Sequence, residues 1–397
     1  MRPQESDTVL GWISELLSEQ GLAGLPDVIG TLLNSAMKIE RSQVLGAMPY
    51  ERSGERTGYA NGFKPKTLKT RMGEIEVAVP QARGISFYPQ TLEKGVRSEK
   101  ALKAALAQMY IEGVSTRRVE SILEKLCGLE VSASQVSRVT KELDGELEKW
   151  RQRPLGEMPY VFLDARYEKV RYEGQVRDLA VLWAIGILPC GRREVLGVSV
   201  SLSEAEVHWR SFLKSLKDRG LCGVLLIISD DHAGMKVARK AIFGSVAWQR
   251  CQFHLSQNAQ SYATSKPQRL EIAGTLKDIF AAPDLQSAKD RLALAVKNYQ
   301  GKNARFASWM EENIPEGFSI YAFPEHHRKR LRTSNVMERG NLEIKRRTRV
   351  ARLFPNADAC LRLVSAVLAE LHEDWATGKI YLDMTDLKTL TKEAATQ

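Results

Sequence analysis

Apolar residues recur at helical spacing through the first fifty positions. Val9, Ile13, Leu16 and Leu17 form one stripe and a second series runs from Val28 to Met37, so residues 1–50 are expected to be a helical region. The texture then changes. Residues 51–97 are rich in Gly, Pro and basic side chains, and only Glu74–Val79 alternates as a strand does. A small basic β-containing element suited to a phosphate backbone is expected there. From Ser98 helical periodicity returns, with Leu102, Ala105, Leu106 and Met109 on one stripe and Val119, Ile122, Leu123 and Leu126 on the next. Serine caps at Ser115 and at Ser132 or Ser134, with a break at Gly128, divide this part into two short helices. Residues 98–152 thus read as a DNA-binding region like a helix-turn-helix, whose second helix presents Ser134, Gln135, Ser137, Arg138 and Lys141. A plain antiparallel helix pair fits the same pattern.

Past the Arg153–Gly156 junction the pattern turns to strands. PYVFLDARYEKVRY, QVRDLAVLWAIGIL and REVLGVSVSLS are three successive candidates, separated by turns at Glu173-Gly174 and Pro189-Cys190-Gly191. A helix over Ser203–Lys217 follows, then the apolar strand GVLLIIS running into Asp230, a helix near Gly234–Phe243 and a short strand around Val246–Gln249. Three antiparallel strands, helix, strand, helix, strand is the element order of a ribonuclease H-like fold. The expected class is α/β: a ribonuclease H-like catalytic domain preceded by a mainly α N-terminal DNA-binding region. The catalytic domain would occupy residues 157–254 and 328–377, split by a polar helical insertion over 255–327. Residues 378–397 would be a tail that frays beyond Asp383.

Composition narrows the partners. With 397 residues, 43% of them apolar, the chain can bury a core and form several domains. Its 58 Lys and Arg against 48 Asp and Glu leave +10, which favours a polyanion, with nucleic acid ahead of an anionic membrane surface. No apolar run reaches the ~18 residues of a membrane span, and the N-terminus lacks a secretory pattern. The five cysteines are scattered and odd in number, so no disulfide framework is implied. A reducing, cytoplasmic setting is expected, without a membrane partner.

Three carboxylates stand out by position. Asp164 interrupts the apolar strand that begins at Tyr160, Asp230 ends the most hydrophobic strand, and Glu338 sits in a helix of mostly basic residues capped at Ser334 or Asn335. An acid at the end of a buried strand is costly unless a cation answers it. Each aspartate alone is as well explained by a turn or a helix cap. Together they match the elements that converge in a ribonuclease H-like site, where two divalent ions about 3.5–4 Å apart would activate one oxygen and stabilise another. Magnesium or manganese suits such oxygen ligands.

The sequence also resembles the Mutator-type bacterial insertion-sequence transposases, from about Gly54 to Leu371. The resemblance rests on GYANGFKPKTLKTRMGEIEVAVPQAR, GVSTRRVESILEKLCGLEVSASQVSRVTKELD, YVFLDARYEKVR, REVLGVSVSLSEAEVHWRSFLKSLKDRGL, SDDHAGMKVA, WQRCQFH and LRTSNVMERGNLEIKRRTRVARLFPN, in that order. It implies a DDE transposase with Asp164, Asp230 and Glu338 as catalytic, metal-holding triad and two Mg²⁺ or Mn²⁺ ions per site. It further implies cleavage at terminal inverted repeats and strand transfer into target DNA, often through a circular intermediate, in a bacterial, nucleoid-associated setting. The family tends to carry a small residue after its second aspartate; Asp231 stands there in this chain, so the second ligand is Asp230 with Asp231 as the alternative. The family's Cys-x-x-His element is met as Cys251 and His254. A structural zinc site needs four ligands and no second pair follows, so a role supporting the carboxylates is expected. His232 is a further supporting candidate, able to reach a phosphate or a water, or simply to cap a helix.

Arg328, Lys329, Arg330 and Arg332 precede Glu338, and Lys345, Arg346, Arg347, Arg349 and Arg352 follow it. Acids seldom interleave, so Arg332, Lys345, Arg346, Arg347 and Arg349 join Arg138 and Lys141 as candidate DNA contacts, a solubilising face being the alternative. Trp248 and Trp309 are expected in the core rather than on a base. Double-stranded DNA is the expected partner, and bringing two ends together implies a homodimer or larger assembly. A DNA-binding regulator that has lost catalysis and a nuclease unable to rejoin ends are the competing functions.

Overall fold

The computed structural model describes residues 12, 15–16, 18–48, 51, 54, 56–70, 73–92, 100–111, 119 and 132–387. The chain divides into two compact units, Met1–Glu142 and Leu143–Gln397.

In the first unit, helix α1 (Leu25–Leu45) lies on an antiparallel hairpin of β1 (Tyr59–Thr70) and β2 (Gly73–Arg83). Met37 of the helix and Ile75, Val77 and Val79 of β2 are buried together with Leu92, so α1 and the basic segment share one core instead of forming separate regions. Strand β1 escapes the sequence reading because its residues are exposed or half-buried throughout. Pairing with β2, not an apolar face, holds it in place. Helices α2 (Lys100–Ile111) and α3 (Ala133–Lys141) pack against each other. The first helix expected of the helix-turn-helix lies outside the described residues apart from buried Val119. Its second helix is α3.

The second unit opens with α4 (Asp144–Arg151), expected with the DNA-binding region. It belongs here instead, through Arg362, which forms a two-bond ion pair with Asp144, and through Arg151, which donates to Ser365. A five-stranded mixed sheet follows, in the order β5-β4-β3-β6-β7. Strands β3 (Tyr160–Tyr172), β4 (Gln175–Ile187) and β5 (Arg193–Ser201) are antiparallel, while β6 (Leu226–Ser229) and β7 (Ala247–Arg250) run parallel to β3. Leu179–Ile187 is buried residue after residue, as a strand covered on both faces must be. Val161, Leu163, Leu182 and Ala184 face α5 (Glu206–Asp218) and α6 (Ala233–Phe243) in a core with Trp209, Phe212 and Met235. The alternate residues point the other way. There Trp183 lies beneath Gly340 of α12 (Asn335–Ala351), which packs with α13 (Ala357–Thr377).

Between β7 and α12, helices α7 (Gln252–Gln260), α8 (Lys266–Phe280), α9 (Leu285–Gln300) and α10 (Ala304–Asn313) surround a core of their own, including Leu255, Leu276, Leu292, Phe306 and Ile314. These helices form an insertion between β7 and α12, and a short helix α11 (Glu325–Leu331) leads out of it. Trp309 packs against that core, its ring stacked with Phe306. The tail expected to fray beyond Asp383 is packed as far as Leu387, and residues 388–397 lie outside the described residues. Leu382, Met384 and Leu387 are buried, and the Tyr381 and Leu382 amides donate to the Gly191 carbonyl. Gly191 sits at φ +82°, where a Cβ would collide with the Leu382 carbonyl, so the strap requires glycine at that turn. No helix among the described residues is long and apolar enough to cross a membrane.

Candidate active site

Strand β3 carries Asp164 directly opposite Trp183 of β4, on the face turned toward α12. Its Oδ1 accepts from the Ala165 amide at 2.9 Å and its Oδ2 from Asn341 Nδ2 at 2.6 Å. Burial pushes this carboxyl up to about 6; the two hydrogen bonds and the His254 charge oppose the rise, and Asp230 adds to it.

The parallel register explains why Asp230 is near. Phe162 pairs with Ile228, and Asp164 and Asp230 each lie two residues further along, at the same end of adjacent strands. Asp230 accepts from the Asp231 amide at 2.7 Å and faces His254, whose Nδ1 is 3.8 Å from its Oδ1. Asp231 is engaged elsewhere. Lys236 at 2.7 Å and Arg250 at 2.9 Å hold it, and both cations also reach Glu316 of the insertion at 2.9 Å. Arg250 is almost wholly buried and also donates to Asn313. Asp231 thus belongs to a structural ion-pair network, and Asp230 is the aspartate left facing the site.

Glu338 stands in the first turn of α12, its amide donating to the Ser334 carbonyl. Its Oε1 is buried with no hydrogen-bond partner among the described residues. Three residues later, on the same helix face, Asn341 bonds Asp164 and accepts from Trp183 Nε1 at 3.2 Å. At the helix start, the Ser334 amide and hydroxyl donate to buried Cys251 Sγ, and the Gln252 amide donates to the Arg332 carbonyl at 2.9 Å.

Cys251 and His254 therefore lie at the junction of β7, α7 and α12. Burial raises the Cys251 thiol, but hydrogen bonds from His254 and Ser334 outweigh it and the net shift is downward. The bond to Cys251 raises His254 to about 9 against the effect of burial, and the charges of Cys251, Asp230 and Asp164 reinforce it. At neutral pH this imidazole is a cation beside two carboxylates. His232 does not join them. It is the residue before α6, with Nδ1 3.9 Å from Glu204.

The donor chemistry suits a hard dication: buried or half-buried carboxylates, one oxygen of Glu338 unanswered, and two aspartates repelling each other. Among the described residues no three His, Cys, Asp or Glu side chains are already gathered to hold an ion. Asn341 and Trp183 are the participants that sequence reasoning missed, and Ser334 was read only as the helix cap it also is. An amide one helical turn from Glu338 was the available signal for the first.

Of the candidate DNA contacts, Arg138 and Lys141 are exposed on α3, and Arg332, Lys345, Arg346 and Arg349 are exposed at and along α12, Arg346 pairing with Glu343 at 3.0 Å. Arg347 corrects the expectation. It is buried and paired with Glu370 of α13 at 3.4 Å, on the inward helix face with Gly340 and Ile344. Trp248 donates its indole N–H to Ser229 and carries Lys236 and Arg239 over its ring.

The profile of the family described as "Transposase, Mutator family" matches residues 11–378. The chain belongs to the Mutator family of transposases. This transposase is 55% identical over 369 residues to the transposase for insertion sequence element IS406 of Burkholderia multivorans, covering 92% of this chain and 95% of that one. It is 42% identical to the transposase for insertion sequence element ISRM5 of Rhizobium meliloti, covering 94% of each chain. It is 36% identical to the transposase for insertion sequence element IS256 in transposon Tn4001 of Staphylococcus aureus, covering 88% of this chain and 90% of that one. The relatives are thus matched along nearly their whole length.

Proposed function

We propose that this transposase cleaves DNA at the terminal inverted repeats of an insertion sequence and joins the freed ends to target DNA. Asp164, Asp230 and Glu338 of a ribonuclease H-like domain would hold two Mg²⁺ or Mn²⁺ ions. The observation that carries the reading is the placement of β3 beside the end of β6, with α12 bonded to β3 through Asn341. It puts two mutually repelling aspartates on adjacent strands, with a glutamate whose buried oxygen lacks a partner on the helix that bonds to one of them. The strand order β5-β4-β3-β6-β7, with the first three antiparallel and the last two parallel to β3, supports the ribonuclease H-like assignment.

When bound, the ions would supply the positive charge that activates an attacking oxygen and stabilises a leaving one. The chain's own groups prepare that place. Asn341 and the Ala165 amide orient Asp164, and protonated His254 tempers the repulsion between Asp164 and Asp230. Exposed Arg332, Lys345, Arg346 and Arg349, with Arg138 and Lys141 of the other unit, are the groups offered to phosphates. Two ends must be held together for joining, so the working assembly on DNA is a dimer or larger.

The test is incubation of the full chain with labelled terminal-repeat DNA and Mg²⁺. Asp164→Asn, Asp230→Asn and Glu338→Gln should each abolish cleaved and joined products while DNA still binds. Normal turnover by all three would refute the site. Cleavage without joining would reduce the activity to that of a nuclease, and binding alone would leave a regulator.

A further inference from the structure

The geometry points to Asn341 as a positioning residue that locks the Asp164 carboxylate and the Glu338-bearing helix into one register, with the Trp183 indole as its fixed reference. The inference rests on the proposed role of Asp164 and Glu338 and adds a residue to that site.

Asn341 is held at both ends of its amide. Trp183 Nε1–H can only donate, so the amide oxygen must face it, at 3.2 Å. The amide nitrogen is then turned to Asp164, which it reaches at 2.6 Å. The usual ambiguity of an asparagine amide is removed by chemistry on both sides. A third bond fixes the backbone: Arg166, two residues beyond Asp164, donates to the Asn341 carbonyl at 2.5 Å.

Trp183 is a sound reference because it is fully buried and lies opposite Asp164 in the β3–β4 ladder. The neighbouring residue supplies an independent observation. Gly340 passes so close to the same indole that a Cβ there would lie 2.2 Å from a ring carbon. The helix is therefore seated on Trp183 by contact at Gly340 and by a hydrogen bond at Asn341. Glu338, one turn earlier, inherits its place from that seat. A helix displaced by a fraction of a turn would move Glu338 and release Asp164 together, which couples two carboxylates from distant parts of the chain through one side chain.

The experiment uses the full-length transposase labelled with ¹⁵N in its indoles, the Trp183 N–H signal being assigned by its loss in Trp183→Phe. Asn341→Ala should shift that signal and speed its exchange with solvent. It should lower Mg²⁺-dependent cleavage of end DNA by about 10- to 100-fold, the usual effect of removing a group that orients a ligand, with DNA affinity unchanged. Trp183→Phe should give a smaller loss, and the double variant should be no worse than Asn341→Ala. Where Asp164→Asn is inactive, wild-type cleavage by Asn341→Ala, or losses that multiply in the double variant, would overturn the lock. If Asn341→Ala fails to fold, Trp183→Phe decides: reduced cleavage at unchanged DNA affinity upholds the lock, and wild-type cleavage overturns it. Normal cleavage by Asp164→Asn would overturn the reading of the site instead, while a Trp183 signal shifted by Asn341→Ala would still uphold the lock.

Discussion

The Ser334 amide and hydroxyl both donate to the Cys251 sulfur, each over 3.3 Å. The Cys251 amide in turn donates to the Ser229 carbonyl at 2.8 Å. Ser229 immediately precedes Asp230, and Ser334 begins the turn that carries Glu338. A single buried cysteine therefore ties the approaches to two of the three acids. The Cys-x-x-His pair thus has a structural task at each residue: the thiol fixes the backbone, and the imidazole faces the carboxylates.

Replacing that thiol separates its two contributions. Cys251→Ala should leave the buried Ser334 hydroxyl without an acceptor and lower stability by about 1–3 kcal/mol. Cys251→Ser retains an acceptor and should lose less. Thermal melting of the two variants, read beside cleavage of end DNA, checks the order; equal melting temperatures would show that the sulfur anchors nothing.

Asp164 makes stability depend on pH in the absence of divalent ions. Its carboxyl binds a proton at about 6 when folded, against 3.8 for the ordinary group. The folded state therefore holds more protons between those values, and stability falls as pH rises from about 4 through 6, then levels off. The fall should amount to about 1–3 kcal/mol, and Asp164→Asn, which cannot ionise, should lack it. The melting temperature of Asp164→Asn relative to wild type should climb from pH 4 to 6.5, and Mg²⁺ should then raise the wild type more than the variant. A difference constant across that range would contradict the buried carboxylate.

Gly340→Ala introduces a methyl group against the edge of the Trp183 ring. The ring is fully buried and cannot swing aside, so α12 must lift. A stability loss of about 1–3 kcal/mol is expected, as for other overpacked cores. Cleavage should fall with it while DNA binding persists. Crystallography or thermal melting showing no change would mean that the helix is not seated on Trp183.

Salt dependence distinguishes the exposed cations from the buried one. Neutralising Lys345, Arg346 or Arg349 should flatten the slope of log affinity against log salt by about 0.9 for each phosphate contact removed. Arg347→Gln should leave the slope unchanged and lower the melting temperature, because Arg347 is paired with Glu370 inside the fold. An altered slope in Arg347→Gln would place that guanidinium on DNA.

The same arginine shows where sequence reading succeeds and where it stops. Strands β3, β4 and β6 were legible because buried strands are written in apolar residues, and an aspartate among them is conspicuous. The helices between β7 and α12 were legible from their polar amphipathic pattern. Arg347 was submerged in a run of like charges, although its helical spacing from Met337, Gly340 and Ile344 marks the inward face. Asn341 left less trace, since its partners Asp164 and Trp183 are 177 and 158 residues away along the chain. Strand β1 was invisible because its ladder depends on β2 and not on its own side chains.

The insertion also imposes an order in time. A ribosome completes the sheet and both aspartates, then must translate α7, α8, α9 and α10 before it reaches Glu338. A nascent chain stalled or clipped anywhere in that interval carries Asp164 and Asp230 without the helix that bonds one of them and supplies the third acid. Completion of the acid set is thus postponed until the sheet that will receive it and four further helices have been made.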